Sequence, residues 1–180
     1  MKHRLRAVAP RVRACLLVLL TLVVVVALDQ LSKHAVEHSI VPGDEHKLLP
    51  GIQLVNTHNN GVAFGFLPGR HTSVTIIVGL ALLALVVYFL RHSRRALIWL
   101  PTGMLLGGAC GNIVDRIRAG AVTDFVKLPL GWPPFNIADM AITLGVLMLV
   151  AVIEAPHEQP RAADSDRQRS SRDAGRERAS

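Results

Sequence analysis

The 180-residue sequence predicts an all-α membrane bundle of four transmembrane helices with a small extracytoplasmic β platform, and three observations predict it. Hydrophobic residues make up 51% of the chain and charged residues only 18%, a balance too apolar for an ordinary soluble domain of this length. The apolar residues fall into four stretches that approach the roughly 20 residues needed to cross a hydrocarbon core of about 30 Å. Lys and Arg, the source of the net charge of +7, collect at the chain ends and in one short loop. That distribution reads as membrane topology and excludes a nucleic-acid footprint.

In chain order, residues 1–13 form a basic cytoplasmic tail carrying Lys2, Arg4, Arg6, Arg11 and Arg13. The first span covers residues 14–33: the apolar run 14–28 is too short alone and must continue through Asp29 to Lys33. A cleavable signal peptide has the same basic-then-apolar layout, but no small-x-small site follows Leu28, so an uncleaved helix is expected. Residues 34–73 form the outside platform, with Ile52-Gln53-Leu54-Val55 and Val62 to Phe66 as short strands flanking the turn-rich Asn59-Asn60-Gly61. The second span is 74–90, and Arg91-His92-Ser93-Arg94-Arg95 marks a cytoplasmic loop. The third span is 96–115, on which Gly103, Gly107 and Gly111 have the small-xxx-small spacing of close helix packing. The fourth is 135–153, leaving 154–180 as a disordered cytoplasmic tail with six Arg, six acids and almost no large apolar residue. Both termini are thereby cytoplasmic. Cys15 and Cys110 lie in apolar runs and are expected to pack, with neither a disulfide nor enough ligands for a metal.

Ionisable and amide side chains at membrane depth are costly unless they face a bundle interior, a partner or water. Here they gather on the outer side: Asp29 and Lys33, then Asn112, Asp115 and Arg116, then Asp124, then Asn136 and Asp139. Any one of them is an ordinary helix end reaching the headgroups; the whole set on one face points to a site. Asn112 with Asp115 and Asn136 with Asp139 are both i, i+3, which puts each amide beside its carboxylate. Asp29 and Lys33 are i, i+4, an ion pair at the rim of the site. Asp115, next to Arg116 and near Arg118, is expected to stay ionised as a structural acid. Asp124 in Val122-Thr123-Asp124-Phe125-Val126 and Asp139 about one turn inside its span are poorly solvated, so these two are the candidate general acid and general base. No other catalytic set competes: Ser32 and Lys33 are adjacent, no Gly-rich phosphate loop precedes a helix, and the eight histidines are read as giving no i, i+4 metal pair.

At these residues the sequence resembles the lipoprotein signal peptidase (signal peptidase II) family of bacterial membrane aspartic proteases. The matching blocks are Asp29-Gln30-Leu31-Ser32-Lys33, Asn59-Asn60-Gly61-Val62-Ala63-Phe64, Gly107 through Arg116, Val122-Thr123-Asp124-Phe125 and Phe135-Asn136-Ile137-Ala138-Asp139, in the family's order. The resemblance implies a membrane aspartic endopeptidase that removes the signal peptide of diacylglyceryl-modified prolipoproteins, cutting just before the lipidated cysteine. It implies that Asp124 and Asp139 form the catalytic dyad, with Asp29, Lys33, Asn59, Gly61, Asn112, Arg116 and Asn136 lining or bracing the substrate pocket. The expected setting is the bacterial cytoplasmic membrane with the active site at the outer face, as a monomer among lipids, with no cofactor, metal or nucleic-acid partner. The rival readings are a small four-span transporter or channel and a non-catalytic envelope scaffold. The third and fourth spans carry no acid or base on their cytoplasmic halves, which weighs against a conducting pathway.

Overall fold

The computed structural model describes residues 2–60, 71–93, 95–129 and 131–155. Its elements are α1 (Lys2–Ser39), β1 (Glu45–Leu49), β2 (Ile52–Asn59), α2 (His71–His92), α3 (Trp99–Ala119), β3 (Val122–Lys127) and α4 (Ile137–Glu154). The part of α1 from Pro10 to Ser39 and the whole of α4 are each long and apolar enough to cross a membrane.

Where apolar and polar residues lie is inverted relative to a water-soluble domain. Leu16, Leu19, Leu20, Val23, Leu28, Leu83, Leu144 and Leu147 are exposed, whereas Asp29, Lys33, Asn112, Asp115 and Asn136 are buried. In water this would be a large aggregation-prone surface; in lipid it is the lower-energy arrangement.

α3 is the central helix, with α1 packed on one side and α4 on the other. Its glycines make that possible, as expected. A Cβ on Gly103 would stand 2.6 Å from the Thr21 Cβ, and one on Gly107 would stand 2.8 Å from the Val25 Cβ. On the opposite side, a Cβ on Gly108 would come within 2.5 Å of the Ala138 carbonyl oxygen of α4. At the end of the bundle away from the sheet, Ala14, Val18, Phe89 and Ile98 form an apolar core flanked by Tyr88, Trp99, Leu149 and Val152.

Helix boundaries differ from the sequence expectation: α1 begins at Lys2, inside the expected tail 1–13, α2 covers His71–His92 where 74–90 was expected, and two further ends bear on the site. α1 does not stop at Lys33 but continues to Ser39, because nothing before Pro42 and Gly43 (φ 95°) breaks it. Residues 34–39, expected in the platform, are therefore helical, and Val36 and Ile40 bury against Phe125. α3 likewise runs past Asp115 to Ala119 and ends where Gly120, at φ 74°, returns its N–H to the Arg116 carbonyl.

The platform is a three-stranded antiparallel sheet in the order β1-β2-β3. Ile52 to Val55 is a strand as expected, extended to Asn59, but its neighbours are β1 and β3, neither of which was expected. The expected strand Val62 to Phe66 and the turn glycine Gly61 lie outside the described residues. β3 shows why Asp124 faces the site. Successive side chains alternate across a strand, so Thr123 and Phe125 meet α1 through Glu37, Val36 and Ile40, while Asp124 between them turns to the other face. Asn56 ties the sheet to the end of α1 by donating its Nδ2 to the Ile40 carbonyl at 2.8 Å.

Candidate active site

The site is built where the start of α4 meets β3 and the outer turns of α1 and α3. Asn136 is the N-cap of α4: its Oδ1 accepts the Asp139 N–H at 2.9 Å, and the Asp139 Oδ2 accepts the Asn136 N–H at 3.3 Å. This is a capping box with Asp in place of the usual Glu, and it gives Asp139 a defined pose at the helix entrance. The same N-terminus has a second partner across the bundle. The Asp29 Oδ1 accepts the Ala138 N–H at 2.9 Å, so a carboxylate from α1 satisfies one of the unpaired donors of α4.

Asp29 is fully buried and Lys33 is 3% exposed, so they form the floor of the site and not its rim. The Lys33 ammonium has three N–H donors and all three are used: Asp115 Oδ2 at 2.6 Å, Asp29 Oδ2 at 2.7 Å and Asn112 Oδ1 at 3.1 Å. The partner that keeps Asp115 paired is thus Lys33. The sequence-adjacent Arg116 and Arg118 point elsewhere, Arg116 to the Asn112 backbone carbonyl and Arg118 to the Gln30 side chain, because on a helix they project from other faces.

The i, i+3 expectation holds for Asn136 and Asp139, joined by the capping box, but not for Asn112 and Asp115. Asn112 does not meet Asp115; its Nδ2 donates to the Asp139 Oδ1 at 2.9 Å, across to α4. Asn136 holds Asp139 through the cap, and its Nδ2 donates to the Asp124 Oδ1 at 2.6 Å. Asn136 Nδ2 also reaches Asn112 Oδ1 at 3.3 Å, so Asp124, Asn136, Asn112 and Asp139 form one hydrogen-bonded chain. Asn59 on β2 closes the far side of Asp124, donating to its Oδ2 at 3.1 Å.

Asp124 is 3% exposed, and burial pushes its carboxyl up to about 6 from an ordinary 3.8. The hydrogen bond from Asn59 pulls the other way, and the neighbouring Asp139 charge raises it further. Asp139 is half-buried. Two acids therefore meet here, one pushed towards its protonated form.

Of the residues singled out from the sequence, Asp29, Lys33, Asn59, Asn112, Asp115, Asp124, Asn136 and Asp139 are brought together, and Arg116 is exposed at the edge. Residues that were not singled out also contribute. Gln30 Nε2 bridges to Asp115 Oδ1 at 2.8 Å and Asp29 Oδ2 at 3.3 Å; Thr57 Oγ1 donates to the Asp124 carbonyl at 2.9 Å; Thr123 donates to Glu37. Gln30 follows Asp29 directly, but nothing in its type announces the contact. The capping box was legible: an amide three residues before an acid at the start of an apolar run is its pattern.

The histidines do include an i, i+4 pair, contrary to the sequence reading. His34 and His38 are i, i+4, with ring centroids 4.0 Å apart. Among the described residues no group of three or more His, Cys, Asp or Glu is arranged to hold a metal ion, and Glu37 of that turn is engaged by Thr123.

The sequence model of the family described as Signal peptidase (SPase) II matches residues 21–154. The chain is 40% identical over 130 residues to the lipoprotein signal peptidase of Syntrophomonas wolfei, covering 72% of this chain and 87% of that protein. It is 39% identical over 135 residues to the lipoprotein signal peptidase of Moorella thermoacetica, covering 73% and 88%. Two solved structures titled as bacterial membrane enzymes, determined by the in meso method, have the same fold. One has a TM-score of 0.71 at 30% identity over 80% of this chain and 92% of the other, and the second a TM-score of 0.68 at 32% identity over 77% and 94%.

Proposed function

The chain belongs to the signal peptidase II family, and from that premise we propose that Asp124 and Asp139 are the catalytic pair of an aspartic endopeptidase. The enzyme is a membrane protease that removes signal peptides in lipoprotein maturation, with prolipoproteins as substrates. The finer reading is that it cuts diacylglyceryl-modified prolipoproteins immediately before the lipidated cysteine. In it, residues 14–153 form a four-span peptidase domain between a basic cytoplasmic tail, 1–13, and a disordered one, 154–180. The domain lies in the cytoplasmic membrane as a monomer, with both termini inside and the site at the outer face.

The single observation that carries the reading is the hydrogen-bonded chain from Asp124 through Asn136 and Asn112 to Asp139. Two carboxyls joined in this way, one of them raised towards its protonated form, have the inventory for general acid–base hydrolysis. One carboxylate takes a proton from water as the water oxygen attacks the scissile carbonyl carbon. The other carboxyl gives its proton to the carbonyl oxygen. Collapse of the tetrahedral intermediate sends the first proton to the leaving amine and returns the second to its donor. Asp29, Lys33, Asn112 and Asn136 hold the pair, Asn59 braces Asp124, and Arg116 lies at the edge on the substrate's side; Gly61, outside the described residues, is assigned to substrate binding from the family resemblance alone.

The test is the mass of the product when purified protein in detergent meets a diacylglyceryl-modified prolipoprotein, beside the same prolipoprotein without lipid. Cleavage before the modified cysteine, absent in Asp124→Asn, is expected. Cleavage elsewhere, or equal cleavage by that variant, defeats the reading and turns attention to the transporter or scaffold.

A further inference from the structure

The Asn112 amide is pinned from three directions. Its Oδ1 accepts from Lys33 Nζ at 3.1 Å and from Asn136 Nδ2 at 3.3 Å, and its Nδ2 donates to Asp139 Oδ1 at 2.9 Å. A flipped amide would aim its N–H groups at an ammonium and another N–H, so the two donors behind it fix which end faces Asp139. Lys33 in turn has no freedom to move, because Asp29 and Asp115 hold its other two N–H groups and Gln30 ties those two acids together.

Resting on the dyad reading above, we propose that Lys33 is a positioning residue: acting through the Asn112 amide, its ammonium holds Asp139 as the proton-accepting carboxylate and leaves Asp124 as the acid that carries the proton. The buried charge fits this division. Lys33 brings one positive charge against Asp29 and Asp115, so the floor is already negative by one before either dyad acid ionises. A second negative charge is admitted where N–H donors converge, and Asp139 receives the Asn112 amide and the Asn136 backbone N–H at the entrance of a helix. Asp124 also accepts two N–H groups, from Asn136 at 2.6 Å and Asn59 at 3.1 Å, but it is 3% exposed on β3 whereas Asp139 is half-buried at the helix entrance, so burial disfavours a third charge there. The titratable groups facing this chain are Asp29 and Lys33 from α1, Asp115 from α3, Asp124 from β3 and Asp139 from α4; β2 contributes Thr57 and Asn59. Arg116 reaches only the Asn112 backbone carbonyl.

Two variants cut the relay at different points, with kcat and KM read across pH on the lipidated substrate. Lys33→Met with Asp115→Asn removes one charge of each sign, so the floor keeps its net charge while Asn112 and Asp29 lose the Lys33 donor. Asn112→Asp keeps an acceptor for Lys33 but cannot donate to Asp139. In each, kcat falls about 10-fold or more with KM changed by less than about threefold. The acidic limb of the kcat profile moves to higher pH in both variants. A bystander Lys33 would leave the pH profile where it was. Wild-type kcat and profile in Asn112→Asp overturn the proposal whether or not the double variant folds. Asp124→Asn run in parallel separates the two ideas: activity there defeats the dyad itself, whereas an inert Asp124→Asn beside an unaltered Asn112→Asp defeats only the relay.

Discussion

The two ends of the helix bundle are held together by opposite physics. At one end Ala14, Val18, Phe89 and Ile98 pack as an apolar core. At the other, α1, α3 and the start of α4 meet through Asp29, Lys33, Asn112, Asp115 and Asn136, all buried. Apolar packing in either solvent gains dispersion contacts and carries little penalty for being incomplete. A buried ionic layer gives little net stability, because desolvation consumes most of the attraction, yet removing one member leaves a charge with no partner. The first end tolerates graded change; the second tolerates almost none. An arrangement so costly for stability is explained by what it positions, the two acids at its surface.

Substitutions at the two ends sharpen that contrast. The largest effect is expected from Lys33→Met, which strands Asp29 and Asp115 and should cost about 3–5 kcal/mol of stability, read as loss of folded protein in detergent on thermal melting. Next comes Ile98→Ala at the apolar end: the side chain is fully buried, and the cavity should cost about 2–4 kcal/mol while the cleavage rate per folded molecule stays near wild type. A comparable loss of kcat in Ile98→Ala would break the separation between the ends.

Asp124→Asn should move the other way. Asp124 has a folded pKa of about 6, above its ordinary 3.8, so the native state binds the extra proton between those values. Its stabilising contribution is therefore full below about pH 4 and is lost as pH rises through about 6. The amide removes that dependence, and the variant should melt higher than wild type above pH 6, by about 1–2 kcal/mol, while being inactive. Below pH 4 the difference should vanish. The smallest effect belongs to the platform surface, where Lys127 pairs with Glu45 and both are solvated: Lys127→Ala should change stability by less than about 1 kcal/mol, less still in high salt.

How much was readable beforehand follows the same division. The apolar stretches, the glycine stripe on α3 and the gathering of polar residues at one end are one-dimensional facts, and composition and spacing carried them. The partners of those polar residues are not. Asn112 and Asp115 are correctly spaced to touch, yet a neighbouring helix offers each a better partner, Asp139 for the amide and Lys33 for the acid. Helix ends chosen from where apolarity stops were short by several residues at Ser39 and Ala119, because a helix continues until something breaks it. β1 is not legible since Glu45-His46-Lys47-Leu48-Leu49 has no alternation, nor is β3, where Thr123 and Asp124 interrupt the apolar run.

The most direct measurement is made on the double variant Asp124→Asn/Asp139→Asn, with cleavage of the lipidated prolipoprotein and the melting temperature taken from the same preparation. A protein that melts cooperatively as a folded species at pH 7.5 and shows no cleavage is the predicted result. Cleavage at a measurable fraction of the wild-type rate would contradict the account, since the buried polar layer would then be holding in place two acids that the reaction does not use.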